Sequence, residues 1–505
     1  MASSAQIPGA RVPLRTKFFF GLGATAESIT LAAVGGYAMF YYNQVLGLPA
    51  TLAGLAITVS LVLDGFADPI VGSLSDRTRG KLGRRHPYMY LAPVPVALCI
   101  VALFNPPAAF SHLWLFVWFS GFIVTLRVFM AVYHVPHLAL GGELSGDYTE
   151  RSRIMSWNNL LGMIGTAGTS FVALTFFFHK TAEYPRGLLN PHAYTPFAFA
   201  VAGSGMLLLL ASAWFTRDRI ALLPKTPDDL PAFSPFEFMK DMGSAFSNRN
   251  YVFLLIAYFF LSLMLGIRQG LGLYMNTFFW EFTSEQIRWF VIGTISGYFL
   301  GFATAARLHG RFDKKIAIIV TCVLLSTIPA IAPSLRILGL FPEPGEPMLL
   351  PLIILFTGLG SCVASIMSIS VMSALADIAD ENEVRYGYRQ EGVLYSTRAL
   401  FSKIDAAIGH FFAGMALDIV AFPEKAQPGQ VDRQTLMDLA LVDAPFATIP
   451  GLIAVFFYAR YKINRKSYDA TQAQLQVLRR ERAAKAAPAG QPGAEPDGIV
   501  GETTT

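Results

Sequence analysis

Long apolar segments alternate with short polar ones along almost the whole chain. A helix that crosses a bilayer needs about 20 mostly apolar residues, and twelve segments reach roughly that length. They lie near residues 18–44, 51–75, 88–105, 111–141, 153–179, 195–216, 250–280, 286–306, 316–334, 347–376, 391–420 and 438–460. The pattern therefore predicts an all-α integral membrane protein with twelve transmembrane helices.

A polar stretch that contains LPKTPDDLPAFSP divides these helices into two sets of six. The basic loops GSLSDRTRGKLGRR (72–85) and ARLHGRFDKK (306–315) follow the second helix of each set, which is typical of transporters built from two repeats. We predict four regions: an N-terminal bundle over 1–216, a cytoplasmic loop over 217–249, a C-terminal bundle over 250–466 and a largely disordered cytoplasmic tail over 467–505.

Composition agrees with a chain that is surrounded by lipid. Only 14% of the 505 residues are charged and 53% are hydrophobic, whereas soluble proteins carry about 25% charged residues. The net charge of +5 is expected in loops at the membrane surface and not on a nucleic-acid-binding face. The bilayer is therefore a predicted partner, and nucleic acid is not.

Lysine and arginine indicate the orientation in the membrane. Of the 39 in the chain, 29 fall in the two terminal tails and in the loops on their side, six fall in the opposite loops and four inside predicted helices. Basic residues are enriched on the cytoplasmic side of membrane proteins. Both termini are therefore predicted to be cytoplasmic, in a plasma (inner) membrane.

Motifs of enzymes and of cofactor sites are absent from the sequence. The chain contains no phosphate-binding Walker loop, no G-x-S-x-G and no H-E-x-x-H. Its three cysteines, Cys99, Cys322 and Cys362, fall in apolar runs without the spacing of a metal site. We therefore expect neither catalysis nor a bound metal or cofactor, apart from a coupling ion.

The informative residues are ionisable groups inside predicted helices, because a charge there is costly and usually faces a cavity. Asp64 and Asp68 are four residues apart in the second helix, so both carboxylates lie on one face. Two such groups need a cation, a basic side chain or a shared proton. Lys403 and Arg127 lie at a similar depth in other helices. These four residues form the predicted cation-binding site.

Further ionisable residues lie somewhat deeper or apart from this group. Glu27 and His134 are in the first and fourth helices, and Arg268 is in the seventh. Substrate and coupling ion bind near the bilayer midplane in many transporters. The alternative interpretation is that these charges pair with one another and only hold helices together.

Charges at the cytoplasmic ends of helices are predicted to form conformational latches. In the first half, Asp76, Arg84 and Arg85 follow the second helix and have Glu143 or Arg151 as possible partners. In the second half, Asp377 and Asp380 end the tenth helix near Arg385 and Arg389. The alternative is a cluster of charges that only fixes topology.

Three segments resemble the glycoside–pentoside–hexuronide:cation symporters, the melibiose permease-like branch of the major facilitator superfamily. They are DGFADPIVGSLSDRTRGKLGRRHPY (64–88), YHVPHLALGGELSGDYTERSR (133–153) and DIADENEVRYGYRQEGVLYSTRALFSK (377–403). The resemblance covers about helices 1 to 11. It implies two six-helix bundles with alternating access, with Asp64 and Asp68 binding the coupling cation and Lys403 beside them.

The sequence departs from the family at several ligand positions. Alanine stands where melibiose permease has neutral oxygen ligands for sodium, and its sugar-binding charge pair is not preserved. The altered positions are Ala67, Ala131, His134, Asn159, and Glu27 or Ser28. The resemblance therefore supports cation coupling more strongly than galactoside transport, and the lost ligands favour a proton over sodium.

The resulting hypothesis is a monomeric symporter that couples entry of a proton or sodium ion to uptake of a small organic solute, such as a sugar or glycoside. Its substrate is predicted to contact Glu27, Tyr133, His134, Trp157, Asn159 and Arg268. One alternative on the same fold is a transporter of lysolipids or other amphipathic molecules. Another is a receptor or scaffold that does not transport.

Overall fold

The computed structural model describes residues 11–223, 240, 242–243, 246–387, 391–463 and 465–486. Within these residues, twelve helices are long and apolar enough to cross a membrane. They are α1 (Leu14–Val45), α2 (Ala50–Arg77), α3 (His86–Leu103), α4 (His112–Glu143), α5 (Thr149–Phe177), α6 (Pro191–Leu222), α7 (Arg249–Phe279), α8 (Ser284–Arg311), α9 (Lys314–Ile337), α10 (Leu349–Arg385), α11 (Val393–Ile419) and α12 (Arg433–Arg460). A further helix, α13 (Arg465–Ala486), follows them.

The predicted all-α membrane fold with twelve crossing helices is thereby confirmed. Because an even number of crossings returns the chain to its starting side, the beginning of α1 and helix α13 share one face of the molecule. We call this side the terminal face and the opposite side the far face.

Local sequence explains where the helices bend. Pro93 divides α3 into two pieces around Ala92, because proline cannot donate the helical hydrogen bond and crowds the preceding turn. Helices α1 and α7 both end at the far face in a π-helical turn, Tyr41–Val45 and Met275–Phe279. Since α1 and α7 are the first helices of the two sets of six, their matching ends agree with a repeated architecture.

Helices α2 and α11 form a tight contact between the two halves. A Cβ atom on Gly54 would lie 2.7 Å from the carbonyl oxygen of His410, so only glycine permits this approach. One turn further on, Thr58 Oγ1 donates a hydrogen bond of 2.8 Å to the carbonyl oxygen of Ala407. Small residues and hydroxyl groups are the usual means of joining helices in lipid.

Polar contacts hold the halves together at the far face. Tyr274 donates a hydrogen bond of 2.9 Å from its hydroxyl to Asn43 Oδ1. The Asp418 carboxylate accepts hydrogen bonds from the backbone N–H groups of Ala50, at 3.2 Å, and Thr51, at 2.8 Å. Asp418 of α11 thus caps the first turn of α2 and links the two helices where they leave the membrane.

The other side of the molecule, between α5 and α8, is more open. Near the far face the rings of Phe171 and Trp289 approach with centroids 6.1 Å apart. Nearer the middle of the bundle, a cavity of about 740 Å³ lies between these helices and is also lined by α1 and α7. The interface between the halves is therefore closed along α2 and α11 and hollow along α5 and α8.

Some predicted boundaries differ from the structure or fall outside it. Helix α10 continues to Arg385, about three turns beyond its predicted end at 376, because a charged helix needs no apolar run once it has left the lipid. Most of the predicted loop 217–249 and the predicted disordered end of the tail lie outside the described residues. The division into four regions stays a prediction.

Candidate functional site

The predicted cation site is a compact cluster that joins the two halves. Lys403 Nζ on α11 lies 2.9 Å from Asp64 Oδ2 and 2.6 Å from Asp68 Oδ2 on α2. The same ammonium group is 3.5 Å from the backbone carbonyl oxygen of Asp64. Because Asp64 and Asp68 are four residues apart on one helix, a single lysine reaches both carboxylates.

A second cation lies beyond this triad. Arg127 Nη1 on α4 is 3.9 Å from Asp64 Oδ2, within ion-pair distance but beyond that of a hydrogen bond. The second oxygen of Asp68, Oδ1, is buried without a hydrogen-bond partner among the described residues. Two positive charges therefore balance two negative ones, while one carboxylate oxygen is available to a proton or another ligand.

Glu27 and His134 form a separate close pair within the first half. Glu27 Oε1 on α1 lies 2.8 Å from His134 Nδ1 on α4. Their side chains keep 18% and 34% of their exposure, so a solute or proton can reach them. The prediction that these residues bind substrate stays a prediction, since their closest charged contact in the structure is with each other.

The large cavity contains only part of the predicted substrate site. Of the six residues predicted to contact substrate, Asn159 lines this cavity, together with Gln269 and Asn276 from α7 and Tyr298 from α8. Gln269 and Asn276 are seven residues apart and so share a helix face. Most other lining side chains are apolar, as in many ligand sites where a few polar groups fix orientation.

Two predicted substrate residues lie elsewhere in the N-terminal half. Tyr133 is fully buried, and its hydroxyl donates to the backbone carbonyl oxygen of Leu209 on α6 at 3.3 Å. Trp157 is not among the lining residues, and its backbone carbonyl oxygen faces Gly21 of α1. A sequence comparison assigns a residue to a helix position, but the neighbouring helices decide whether its side chain reaches the cavity.

The charges predicted as a first-half latch meet between α2, α3 and α4 at the terminal face. Glu143 Oε1 accepts from Arg84 at 2.8 Å and from Arg85 at 2.6 Å. Arg85 also lies 2.5 Å from Asp76. Arg151, in contrast, donates to the backbone carbonyl oxygen of Ser145 at 2.6 Å, and so closes the turn that follows α4.

We expect Arg85→Gln to lower the thermal stability of the purified protein. Arg85 is only 5% exposed, and its loss removes its ion pair with Asp76 and leaves Glu143 with Arg84, at a cost of about 1.5–3 kcal/mol for a hydrogen bond to a charged group. Lys81→Gln, in the same loop but exposed, is the matched control. Thermal unfolding followed by size-exclusion chromatography measures the difference. Equal midpoints for both variants would contradict this account of the cluster.

In the second half, contacts of the predicted latch residues lead to α9 and α13. Asp377 pairs with Lys314 at the start of α9, with both carboxylate oxygens 2.9 Å from Nζ. Asp380 accepts from Gln472 of α13 at 2.7 Å. Arg385 lies five residues from Asp380 on the continuing helix, and their predicted pairing stays a prediction. The other predicted partner, Arg389, is outside the described residues.

Sequence reasoning overlooked Asp443, which lies in a π-helical turn of α12 (Val442–Phe446) and lines a second cavity. An aspartate inside an apolar segment, two residues before Pro445, was a usable signal. Arg268, predicted to contact substrate, lines this second cavity and not the larger one.

Comparison with known families agrees with this arrangement. The sequence profile of the family described as MFS/sugar transport protein matches residues 19–465. The chain belongs to this family. The predicted resemblance to symporters of the major facilitator superfamily is thereby confirmed, as is the architecture of two six-helix bundles.

Individual known proteins align with almost the whole chain. An uncharacterized symporter of Synechocystis sp. is 26% identical, covering 94% of this chain and 98% of its own. The isoprimeverose transporter of Lactiplantibacillus pentosus is 22% identical, covering 90% of each. The sodium-dependent lysophosphatidylcholine symporter 1 of Xenopus tropicalis is 21% identical, covering 92% and 90%.

A solved structure shows the same fold. The D-xylose–proton symporter superposes with a TM-score of 0.61 at 12% identity, covering 88% of this chain and 97% of that chain. At this identity the likeness concerns the fold alone. The MFS/sugar transport fold places the cluster of Asp64, Asp68 and Lys403 between its two halves.

Proposed function

We propose that this protein is a symporter of the plasma (inner) membrane that couples entry of a cation to uptake of a sugar or glycoside by alternating access. The observation that carries the proposal is the contact of Lys403, in one half, with Asp64 and Asp68 in the other. A charged contact across the moving interface lets ion binding and conformational change influence each other, which is what coupling requires.

Orientation follows from the basic residues. If the terminal face is cytoplasmic, as the bias of lysine and arginine favours, the far face is external and the structure is closed towards the outside. Among described residues, the hydrogen bonds and ion pairs between the halves run from the far face down to the Lys403–Asp68 pair. This distribution supports an inward-facing state.

The cluster suggests how coupling proceeds. In the inward-facing state Lys403 neutralises the carboxylates, so the carrier can return outward without an ion. A proton or cation arriving at Asp68 or Asp64 then competes with Lys403 and releases the lysine from the carboxylates. We favour a proton, because the groups nearest these carboxylates are cationic side chains and Ala67 and Ala131 stand at the family's positions for neutral oxygen ligands.

Uptake into proteoliposomes tests the proposal. Glycosides of xylose, glucose and galactose would each be offered with an imposed proton gradient, with a sodium gradient, or with neither. We expect accumulation of at least one glycoside that depends on one of the two gradients. Uptake at the same rate without any gradient, or no uptake of any glycoside, would contradict the proposal.

A second candidate, transport of an amphipathic lipid, is favoured by one observation. The cavity between α5 and α8 is bordered by apolar side chains that face outward, such as Leu160 (45% exposed), Ile295 (43%) and Phe302 (55%). A lipid chain could enter there from the bilayer. Lysophosphatidylcholine in the same uptake panel distinguishes the two, since a lipid transporter takes it up and ignores the glycosides.

We expect Gly414→Val to weaken closure of the far face. A Cβ at Gly414 would collide with the backbone of Ala50 on α2, so a larger side chain forces α2 and α11 apart. The measurement uses a cysteine placed at Gly36, in the cavity wall. A membrane-impermeant maleimide added outside should label this cysteine several-fold faster in Gly414→Val than in the protein with Gly414. Gly203→Val is the control, because a Cβ at Gly203 meets nothing within 4 Å; equal labelling of both variants would refute the expectation.

A further inference from the structure

A second cavity of about 360 Å³ lies inside the C-terminal half, between α7, α8, α9, α10 and α12. Four of its lining residues, Gly272, Asn276, Phe290 and Tyr298, also line the large cavity. The two cavities are therefore adjacent, and we treat them as two lobes on either side of these shared residues. We call the larger one the apolar lobe and the smaller one the C-terminal lobe.

The C-terminal lobe contains a carboxylate that has no protein partner. Asp443 lines this lobe and is only partly buried. Among the described residues, no hydrogen-bond donor and no basic nitrogen within 4.0 Å pairs with its carboxylate oxygens. A polar group inside a membrane protein usually faces another polar group or a ligand. The acceptor atoms of Asp443 are therefore available to a solute in the lobe.

Arg268 lies beside Asp443 but is occupied by the protein backbone. Its Nη2 donates to the carbonyl oxygen of Ser326 at 3.0 Å and to Thr448 Oγ1 at 2.8 Å, and its Nε to the backbone oxygen of Asp443 at 3.3 Å. Proline at position 329 has no N–H group, so the carbonyl oxygen four residues earlier lacks its helical partner, and Nη1 lies 3.5 Å from that oxygen. Arg268 thus supports the wall of the lobe and does not neutralise the carboxylate by direct contact.

The remaining walls suit a sugar ring. Trp280, Tyr298 and Phe356 provide aromatic surface, and Thr357 and Ser361 provide hydroxyl-bearing positions on α10. Aromatic faces pack against the C–H faces of a pyranose, while a carboxylate accepts hydrogen bonds from its hydroxyl groups, and such charge-assisted bonds are the stronger kind. The apolar lobe offers a different surface, since Leu160, Met163, Ala167 and Ile295 contribute mainly hydrocarbon.

We propose that the C-terminal lobe binds the sugar ring of the substrate through Asp443 and that the apolar lobe accepts an apolar aglycone. The substrate class is then a glycoside with an aromatic or alkyl aglycone, larger and less polar than a free monosaccharide. This inference rests on the proposed sugar symport and specifies its binding site. Asp443 acts as a substrate-binding residue, separate from the cation site at Asp64 and Asp68.

Two variants distinguish the contributions of the two lobes to substrate binding. The probes are the 4-nitrophenyl and methyl glycosides of xylose, glucose and galactose, whose gradient-driven uptake is measured. For each sugar, we expect the wild-type protein to have a KM at least tenfold lower for the nitrophenyl glycoside than for the methyl glycoside. Asp443→Asn should raise KM tenfold or more for both members of a pair, since it removes a charged acceptor. Ala167→Trp fills the apolar lobe and should raise KM for the nitrophenyl glycoside alone.

Controls keep the test independent of folding. Asp438→Asn alters an aspartate on the same helix that accepts a hydrogen bond from Gln434 and does not line the lobe; it should leave KM unchanged. Asp443→Glu keeps the charge, and its KM should lie between those of the wild type and Asp443→Asn. Unchanged KM in Asp443→Asn, or equal weakening of both glycosides by Ala167→Trp, overturns the inference alone. Failure of the wild-type protein to take up any glycoside overturns the proposed function as well.

Discussion

Asp68→Asn is expected to abolish cation-driven accumulation of substrate while the protein remains folded in the membrane. The variant keeps the shape of the side chain but removes the charge that holds Lys403 Nζ at 2.6 Å and that a proton or cation would neutralise. With position 68 uncharged, Lys403 keeps Asp64 as its ion-pair partner at 2.9 Å, and a proton or cation can no longer compete with the lysine at position 68. Accumulation would be measured in vesicles with an imposed gradient.

The control for this variant is Asp432→Asn. Asp432 caps the first turn of α12 by accepting from the backbone N–H of Gln434 at 2.9 Å, a role that asparagine also fulfils, and it lies at the far face away from the cluster. Full accumulation by Asp432→Asn with loss in Asp68→Asn locates the effect at the cation site. Gradient-driven accumulation by Asp68→Asn at the wild-type level would refute the assignment of this carboxylate.

Lys403→Gln is expected to separate exchange from net transport. Without the ammonium group, Arg127 balances only one of the two carboxylates of α2, so the empty carrier is left with one uncompensated charge as it reorients. Net uptake requires that empty step and should fall at least tenfold. Exchange of labelled for unlabelled substrate uses only the loaded carrier and should persist.

Counterflow and net uptake would therefore be measured side by side on the same vesicles. Lys462→Gln, a change just beyond α12 and outside the membrane helices, controls for loss of a positive charge. If Lys403→Gln retained net uptake, the lysine would not be needed for return of the empty carrier. Equal loss of exchange and net uptake, with normal thermal stability, would assign Lys403 to substrate or cation binding instead.

The twelve helices and the cation cluster were predictable because the membrane makes both signals strong. Exclusion of charge from lipid leaves long apolar segments that are easily recognised. The few charges inside those segments stand out, and a spacing of four residues fixes Asp64 and Asp68 on one face. That Lys403 spans both carboxylates depends on the close approach of α2 and α11, which Gly54 and Gly65 permit.

The cavity was much harder to predict from sequence. Tyr133 and Trp157 were predicted to contact the substrate. The orientation of each side chain, however, depends on the helices packed around it. Gln269 and Asn276 are uncharged and attract less notice than ionisable residues, although their shared face lines the cavity. Asp443 is difficult to recognise because it lies near the beginning of the last apolar segment (438–460), where a polar residue can also belong to the preceding loop.

Contacts at the end of α10 were hard to predict for a related reason. The predicted partners of Asp377 and Asp380 are nearby in sequence, whereas the continuing helix also brings these carboxylates to α9 and α13. Such pairings connect residues that are distant in sequence, for example Glu383 with Arg479 at 2.8 Å. Local pattern carries no information about them.

Helix α13 is joined to α10 by hydrogen bonds and an ion pair and so belongs to the C-terminal half. Leu475 is buried, while Val477 on the same helix is 56% exposed and offers a place for a fluorophore. A second fluorophore at Leu82, 45% exposed in the loop after α2, would be carried by the N-terminal half. Energy transfer between the two would then follow each opening and closing of the terminal face, one molecule at a time, without any change to the transport pathway.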